Sequence, residues 1–396
     1  MKLKENIHYV GVNDRTKDLF EGLWPLPYGV SYNSYLIVDQ KIGLIDTVDV
    51  NFFELYLDKI QAVIGERPID YLIINHMEPD HSGSIGLIRK IYPNIRLVGN
   101  KKTLEMVEGY HNMSTANDLT VVEGDMLSLG SHQLHFSLIP MVHWPETMVT
   151  YESTEKLLFS GDAFGCFGAL NGHFADTNAE VDYYWEEMVR YYSNIVGKYG
   201  APVQRALQKL EKLDIDMICS THGPMWTQHI EKVIYTYDRL SRYDADCGAV
   251  VCYGSMYGNT QQMAESVARG LAEGGIERIC VYDVSRTNLS FILKDIFKYR
   301  GLVLGSPTYN GKIYPQMEQL LNAIASRDMK NRIFGAFGSF TWAGQAVKTL
   351  KTFAETVHFD MVTEPVEMKQ GFKAFDEKEC VELGHSVATR LLSDSL

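Results

Sequence analysis

No apolar run in this chain approaches the ~20 residues that a membrane-spanning helix needs. The lysine-bearing start, Met1 to Asn6, is followed by no long apolar core and no small-residue cleavage site, so no secretory leader is expected. Cysteine is sparse: Cys166, Cys219, Cys247, Cys252, Cys280 and Cys380 lie far apart with no C-x-x-C pair. That spacing excludes a zinc ribbon and argues against a disulfide framework in a chain of this size. Basic residues are short as well, 37 Lys and Arg against 50 Asp and Glu, a net charge of −13. Nothing basic is left over to neutralise phosphates, so nucleic acid is not an expected partner. Internal repeats and low-complexity tracts are absent. A cytoplasmic protein acting on a small molecule or a soluble partner is the expectation.

At roughly 150 residues per domain, the 396 residues predict two or three domains. In the first part, Ser34 to Val38 and Ile42 to Asp46 read as a hairpin. Tyr71 to Asn75, Leu134 to Ile139, Met148 to Tyr151 and Leu157 to Ser160 read as further strands, and Asp182 to Tyr199 as a helix. The texture changes near Arg242. Strands then alternate with helical stretches: Ala249 to Tyr253, Asn259 to Glu273, Ile279 to Asp283, Leu289 to Phe297, Leu302 to Leu304, Ile333 to Phe337. Such βαβ alternation predicts a doubly wound parallel sheet. The boundary is expected between a domain of residues 1–245 and one of residues 246–396.

The densest chemical signal is His76-Met77-Glu78-Pro79-Asp80-His81, directly after a strand. Four potential ligands in six residues of one loop can converge on a small volume, and Pro79 stiffens that loop. His143, Asp162 and His222 recur later, each after a strand-like run or in a glycine- or proline-marked turn. The remaining histidines, among them His8, His111, His132, His135, His173 and His229, read as ordinary hydrogen-bonded residues.

This H-x-E-x-D-H motif with His143, Asp162 and His222 resembles the ligand series of the metallo-β-lactamase superfamily. Hydrolytic members usually carry histidine where this chain has Glu78, and they bind zinc. A carboxylate there makes the site harder and more anionic, which suits iron. The resemblance implies an αββα sandwich for the first domain. It also implies His76, Glu78 and His143 on one iron, Asp80, His81 and His222 on the second, and Asp162 as catalytic bridge between them. His81 is the ligand on which members differ. The segment Arg190-Tyr191-Tyr192-Ser193-Asn194-Ile195-Val196 is also similar, and one of its tyrosines, Tyr192 foremost, is expected at the site as a hydrogen-bond donor.

The second signal is Ser255-Met256-Tyr257-Gly258-Asn259-Thr260, between a strand and a long amphipathic helix. A hydroxyl-rich turn at a helix N-terminus suits a phosphate. It has neither the lysine of a triphosphate-binding loop nor G-x-G-x-x-G. Two further loops follow strands: Gly305-Ser306-Pro307-Thr308-Tyr309-Asn310-Gly311 and Gly338-Ser339-Phe340-Thr341-Trp342-Ala343-Gly344. Both put amides and an aromatic ring at a sheet's C-terminal edge, where open α/β folds bind ligands. The three loops resemble flavodoxin, which implies FMN, its phosphate on Ser255 to Thr260 and its ring against Trp342 or Tyr309.

Taken in order, the two halves resemble the flavodiiron proteins. That resemblance implies an oxidoreductase that reduces dioxygen to water, nitric oxide to nitrous oxide, or both. It implies a head-to-tail homodimer, alone or paired into a dimer of dimers. With no C-x-x-C pair after the flavodoxin-like half, electrons are expected from a separate partner, rubredoxin before a deazaflavin. Leu23 to Gly29 lacks the histidine that some members place near the irons. The alternatives are a binuclear zinc hydrolase with an added flavodoxin domain, and an electron carrier whose first domain is a scaffold.

Overall fold

The computed structural model describes residues 1–176 and 181–393. The chain divides into two compact units, Met1–Asp238 and Arg239–Leu396.

The first unit opens with short strands: β1 (Lys2–Lys4), β2 (Ile7–Tyr9), β3 (Val12–Asp14), β4 (Leu19–Phe20), β5 (Trp24–Pro25), β6 (Val30–Tyr32), β7 (Tyr35–Val38) and β8 (Ile42–Ile45). Next come β9 (Tyr71–Ile73), β10 (Arg96–Gly99), β11 (Leu119–Thr120), β12 (Met126–Ser128), β13 (Gln133–Leu138), β14 (Met148–Glu152), β15 (Leu157–Gly161) and β16 (Met217–Ser220). One sheet has the order β1-β2-β7-β8-β9-β10-β11 and the other β12-β13-β14-β15-β16. The hairpin expected from Ser34 to Asp46 is β7–β8. The sheets meet through buried side chains. The rings of Tyr35 and Phe159 are 5.1 Å apart, and the Tyr35 hydroxyl donates to the Ser220 carbonyl at 2.7 Å. Helices cover the sheets with one apolar stripe each, as 3.6-residue periodicity requires. The helix Phe53–Ile64 buries Tyr56, Ile60 and Ile64, and Gly200–Leu210 buries Val203, Ala206 and Leu210.

The helix expected over Asp182 to Tyr199 is α-helical only over Val181–Tyr191, after which Tyr192–Val196 widens into a π-helical turn. Side chains compete for the same backbone acceptor there. Ser193 Oγ and Asn194 Nδ2 both donate to the Arg190 carbonyl, at 3.0 and 2.7 Å, and such back-bonding loosens the regular ladder.

The second unit contains β17 (Asp246–Tyr253), β18 (Ile279–Asp283), β19 (Tyr299–Tyr309), β20 (Lys312–Ile313), β21 (Ile333–Phe340), β22 (Asp360–Met361) and β23 (Val366–Lys369). Its sheet order is β18-β17-β19-β21-β22, all parallel, with β23 also pairing along β21. Central strands covered on both faces need continuous apolar runs; Ala249 to Cys252 and Leu302 to Leu304 supply them, each fully buried. The chain reverses its direction of travel across the sheet at β17, which makes the C-terminal ends of β17 and β19 a topological switch point. On one face the helices Asn259–Glu273 and Ala374–Ser393 approach backbone to backbone. A Cβ on Gly270 would stand 2.2 Å from the Val381 carbonyl oxygen, and one on Gly384 2.3 Å from that of Val267. Among the described residues no helix is long and apolar enough to cross a membrane.

Candidate metal centre and cofactor cleft

The seven ligand-type residues come from both sheets of the first unit. Four follow β9, whose end is pinned by Asp46: its Oδ1 accepts the Asn75 amide at 2.8 Å and its Oδ2 the Asn75 side chain at 3.0 Å. Asn75 in turn accepts from Thr150 on the second sheet at 2.7 Å. Glu78 then precedes a one-turn helix, Pro79–Ser82, with proline at its first position; fixed φ and a missing donor suit that place. The turn sets Asp80 and His81 side by side, and Thr47 holds the His81 carbonyl through its amide and hydroxyl, at 2.9 and 2.8 Å. His143 lies between β13 and β14, Asp162 directly after β15, and His222 in the loop after β16.

All seven side chains are buried. Asp162 sits between two sets. Its Oδ2 lies 3.0 Å from His143 Nε2 and 3.6 Å from His76 Nε2, and Glu78 Oε2 is 3.1 Å from the same His143 nitrogen. Its Oδ1 lies 3.2 Å from His81 Nε2 and 3.6 Å from His222 Nε2, and that His222 nitrogen is 3.3 Å from Asp80 Oδ2. The donor atoms fall into two overlapping groups that each fit around a metal ion: His76, Glu78, His81 and Asp162, and Asp80, His81 and His222.

The electrostatics call for cations. Burial works against charge on Asp162, yet His81 and His76 hold its carboxyl well below the usual range. Burial and the neighbouring Glu78 push the Asp80 carboxyl up. Against burial, Asp162 and Asp80 hold the His81 imidazole up at about 10. Both Asp80 oxygens, both His81 nitrogens and His222 Nε2 are buried without a hydrogen-bond partner. A carboxylate left so costs several kcal/mol unless a counter-charge sits beside it. Four imidazoles and three carboxylates around that charge are a donor set fit for a pair of iron ions.

The outer nitrogens of two histidines are engaged away from the centre. His76 Nδ1 is 2.7 Å from Glu146 Oε1, and His222 Nδ1 is 2.7 Å from the Ser31 carbonyl oxygen. The His222 loop is further tied by Asn33, whose Nδ2 donates to the carbonyls of Ser220 and Gly223 at 2.9 and 2.8 Å.

Of the two tyrosines, it is Tyr191 whose ring meets a ligand, 5.8 Å from that of His222. Its hydroxyl is buried without a hydrogen bond, and burial together with the charge of Asp162 raises it well above the ordinary phenol range. Tyr192 packs edge-on against Tyr237 at 5.0 Å. One residue along a helix turns the side chain by ~100°, so the two tyrosines meet different rings, His222 and Tyr237.

Sequence reasoning missed two carboxylates. Glu146 gave no signal because its partner His76 lies 70 positions away. Glu21 sits on the turn between β4 and β5 with φ 50°, accepting from Trp24 Nε1 at 3.1 Å. Loss of surrounding water and the Glu78 charge push its carboxyl up, with His143 acting the other way. The preceding Phe20 stands edge-on to His222 at 5.4 Å, which puts the turn beside the centre. The segment lacking a histidine thus begins two residues after a carboxyl group within electrostatic reach of Glu78 and His143.

In the second unit, Ser255, Met256, Tyr257, Asn259, Thr260, Pro307, Thr308, Ser339, Phe340 and Thr341 line one cleft at the strand ends, together with Gln370, which sequence reasoning did not single out. Gly258, at φ 86°, starts the helix Asn259–Glu273 with no capping side chain, leaving its first amides uncapped. Thr260 and Ser339 join two of the loops by a 2.9 Å hydroxyl contact. Tyr309, at the end of β19, and Asn310 and Gly311, in the turn to β20 with positive φ, stand outside this lining. Trp342, Ala343 and Gly344 also stand outside it. Trp342 is 88 % exposed, and a Cβ on Gly344 would lie 2.4 Å from Glu367 Oε1. Uncapped amides at a glycine start and hydroxyls from three loops fit the phosphate of FMN.

Residues 30–223 match the family model described as ODP family beta lactamase, and residues 251–384 match that of flavodoxin. The chain is 33% identical to an anaerobic nitric oxide reductase flavorubredoxin of Vibrio vulnificus, over 98% of this chain and 79% of that one. Among solved structures it is similar to the rubredoxin oxygen:oxidoreductase of Desulfovibrio gigas, with 29% identity, a TM-score of 0.95, and 99% and 98% of the two chains covered. It is likewise similar to the flavodiiron protein of Giardia intestinalis, with 26% identity, a TM-score of 0.95, and 99% and 96% covered.

Proposed function

This chain belongs to the flavodiiron protein family, and we propose that it reduces dioxygen to water, nitric oxide to nitrous oxide, or both, at a di-iron centre in its first unit, with FMN in its second unit as electron relay. The observation that carries this reading is Asp162, whose two oxygens are turned to two separate sets of histidine and carboxylate. Two ferrous ions and a reduced FMN together supply four electrons, enough for one dioxygen, and coupling two nitric oxides needs two.

In this reading His76, Glu78 and His143 would hold one iron and Asp80, His81 and His222 the other, with Asp162 facing both sets. Tyr191, in place of Tyr192, offers its hydroxyl to the bound gas. The rings of Phe20, Phe167 and Tyr191, which pack on one another at 5.0 to 6.0 Å, keep bulk water out beside His222. Ser255 to Thr260 bind the FMN phosphate. Rubredoxin is the proposed donor, in keeping with the name of the Desulfovibrio gigas relative. A head-to-tail dimer would present the flavin of one subunit to the irons of the other.

The test is anaerobic. Fully reduced, iron-loaded protein is mixed with dioxygen or nitric oxide, and flavin reoxidation and products are followed. Fast reoxidation yielding water or nitrous oxide is expected. Asp162→Ala is expected to abolish it while FMN stays bound. Slow reoxidation by both gases, with peroxide the sole oxygen product, would return the chain to the hydrolase or carrier reading.

A further inference from the structure

The two metal positions have direct donors of the same kind: two imidazoles and one carboxylate each, plus a share of Asp162. They differ one layer out. His76 Nδ1 lies 2.7 Å from Glu146 Oε1, and both side chains are fully buried. The same oxygen accepts the Met77 amide at 3.0 Å, and the Asn100 side chain donates to the Glu146 backbone carbonyl. Oε1 is therefore held by two groups in low-dielectric surroundings, and the backbone behind it by Asn100. At the other position His222 donates to a neutral backbone carbonyl, that of Ser31. His81 Nδ1 has no hydrogen-bond partner. Among the described residues, His76 is the one of the four histidines with a carboxylate on its outer nitrogen.

A buried carboxylate accepting the outer N–H fixes the tautomer that leaves Nε2 free, and it makes that nitrogen more basic. Low dielectric strengthens the effect. We propose that Glu146 is a positioning residue that ranks the two metal positions: the one formed by His76, Glu78 and His143 fills first and holds its ion more tightly. This rests on the di-iron reading of the centre.

The ranking is read in metal binding, not turnover. Metal-free full-length protein is titrated with Co²⁺, following the metal's visible absorbance and the heat of binding. The native chain is expected to bind in two resolved steps. Glu146→Gln keeps an oxygen to accept from both His76 and Met77 but removes the charge. It is expected to weaken the tighter step 10–100-fold, the usual loss on disturbing an outer-layer partner, and to leave the looser step unchanged. Glu146→Asp, which keeps the charge, is expected to retain part of the tighter step. Equal weakening of both steps by Glu146→Gln, or weakening of the looser step alone, would overturn the ranking. Should Glu146→Gln misfold by near-ultraviolet circular dichroism, Asn100→Ala provides the second reading. It loosens the segment that carries Glu146 and is expected to weaken the tighter step selectively; an unaltered tighter step would refute the proposal. A native chain that binds fewer than two ions would sink the di-iron reading itself, a result distinct from two ions bound with equal affinity, which would sink the ranking alone.

Discussion

Asn33→Leu tests whether the His222 loop is held by the hydrogen bonds that surround it. Asn33 is fully buried, and leucine keeps its branched outline but is larger, so overpacking adds to the loss of hydrogen bonds. The Ser220 carbonyl loses one donor but keeps the Tyr35 hydroxyl at 2.7 Å. The Gly223 carbonyl loses its 2.8 Å bond, and the Tyr9 hydroxyl loses Asn33 Oδ1, its acceptor at 3.1 Å. Two buried polar groups are thus stripped, at ~1–3 kcal/mol each, roughly 2–6 kcal/mol in all. For a unit of this size ~1 kcal/mol moves the melting temperature by ~2–4 °C, so a fall on the order of 10 °C is expected. The assay is a thermal melt of the first unit by near-ultraviolet circular dichroism, with flavin fluorescence as an internal control on the second. His222 lies between Ser220 and Gly223, whose carbonyls Asn33 holds, so the iron content is expected to fall below two per chain. A shift under ~2 °C with both irons retained would refute the reasoning.

Gly384→Ala should lower the stability of the second unit. Its Cβ would stand 2.3 Å from the Val267 carbonyl oxygen, and overpacking of this kind costs ~1–3 kcal/mol. Earlier thermal release of FMN with an unaltered melt of the first unit is the expected outcome, and an unchanged release temperature would count against it. Metal binding should also depend on pH. In the metal-free protein Asp162 and Asp80 hold the His81 proton up to about 10 against burial, and a metal must displace that proton. The apparent affinity for Co²⁺ is therefore expected to rise as pH increases through the neutral range towards 10, with proton release on binding. For the metal-free fold the sign is reversed: a raised histidine stabilises it below the unfolded value of about 6.5, and that gain is lost as pH climbs through the folded value. An affinity flat from pH 6 to 9 would contradict the first part of this prediction.

The clustering of the seven ligand-type residues was legible because their chemistry is local. His76 to His81 crowd one loop, and His143, Asp162 and His222 each follow a strand or mark a turn. The parallel sheet of the second unit was legible because strands buried on both faces must be apolar throughout, as Ala249 to Cys252 are. What was not legible depends on distant partners. Asn33 acts on Ser220 and Gly223, 187 and 190 positions away. Glu146 acts on His76, and a single glutamate after a proline carries no mark of that. Which of Tyr191 and Tyr192 meets the His222 ring turned on the exact rotation of a helix end that Ser193 and Asn194 distort. Trp342 and Tyr309 were expected at the flavin on their ring chemistry alone, and the loops carry both beyond the lining of the cleft.

Because the centre is assembled from the ends of strands in both sheets, its completion follows the order of synthesis. The His76 to His81 loop leaves the ribosome first, and His222 follows roughly 140 residues later. At ~5–20 residues per second, that interval is about 7–28 s. Throughout it, a nascent chain exposes two imidazoles and two carboxylates that any passing divalent ion can engage, before the residues that complete the donor set exist. In the di-iron reading the donor set would close late, when β16 adds to the second sheet and brings His222 with it.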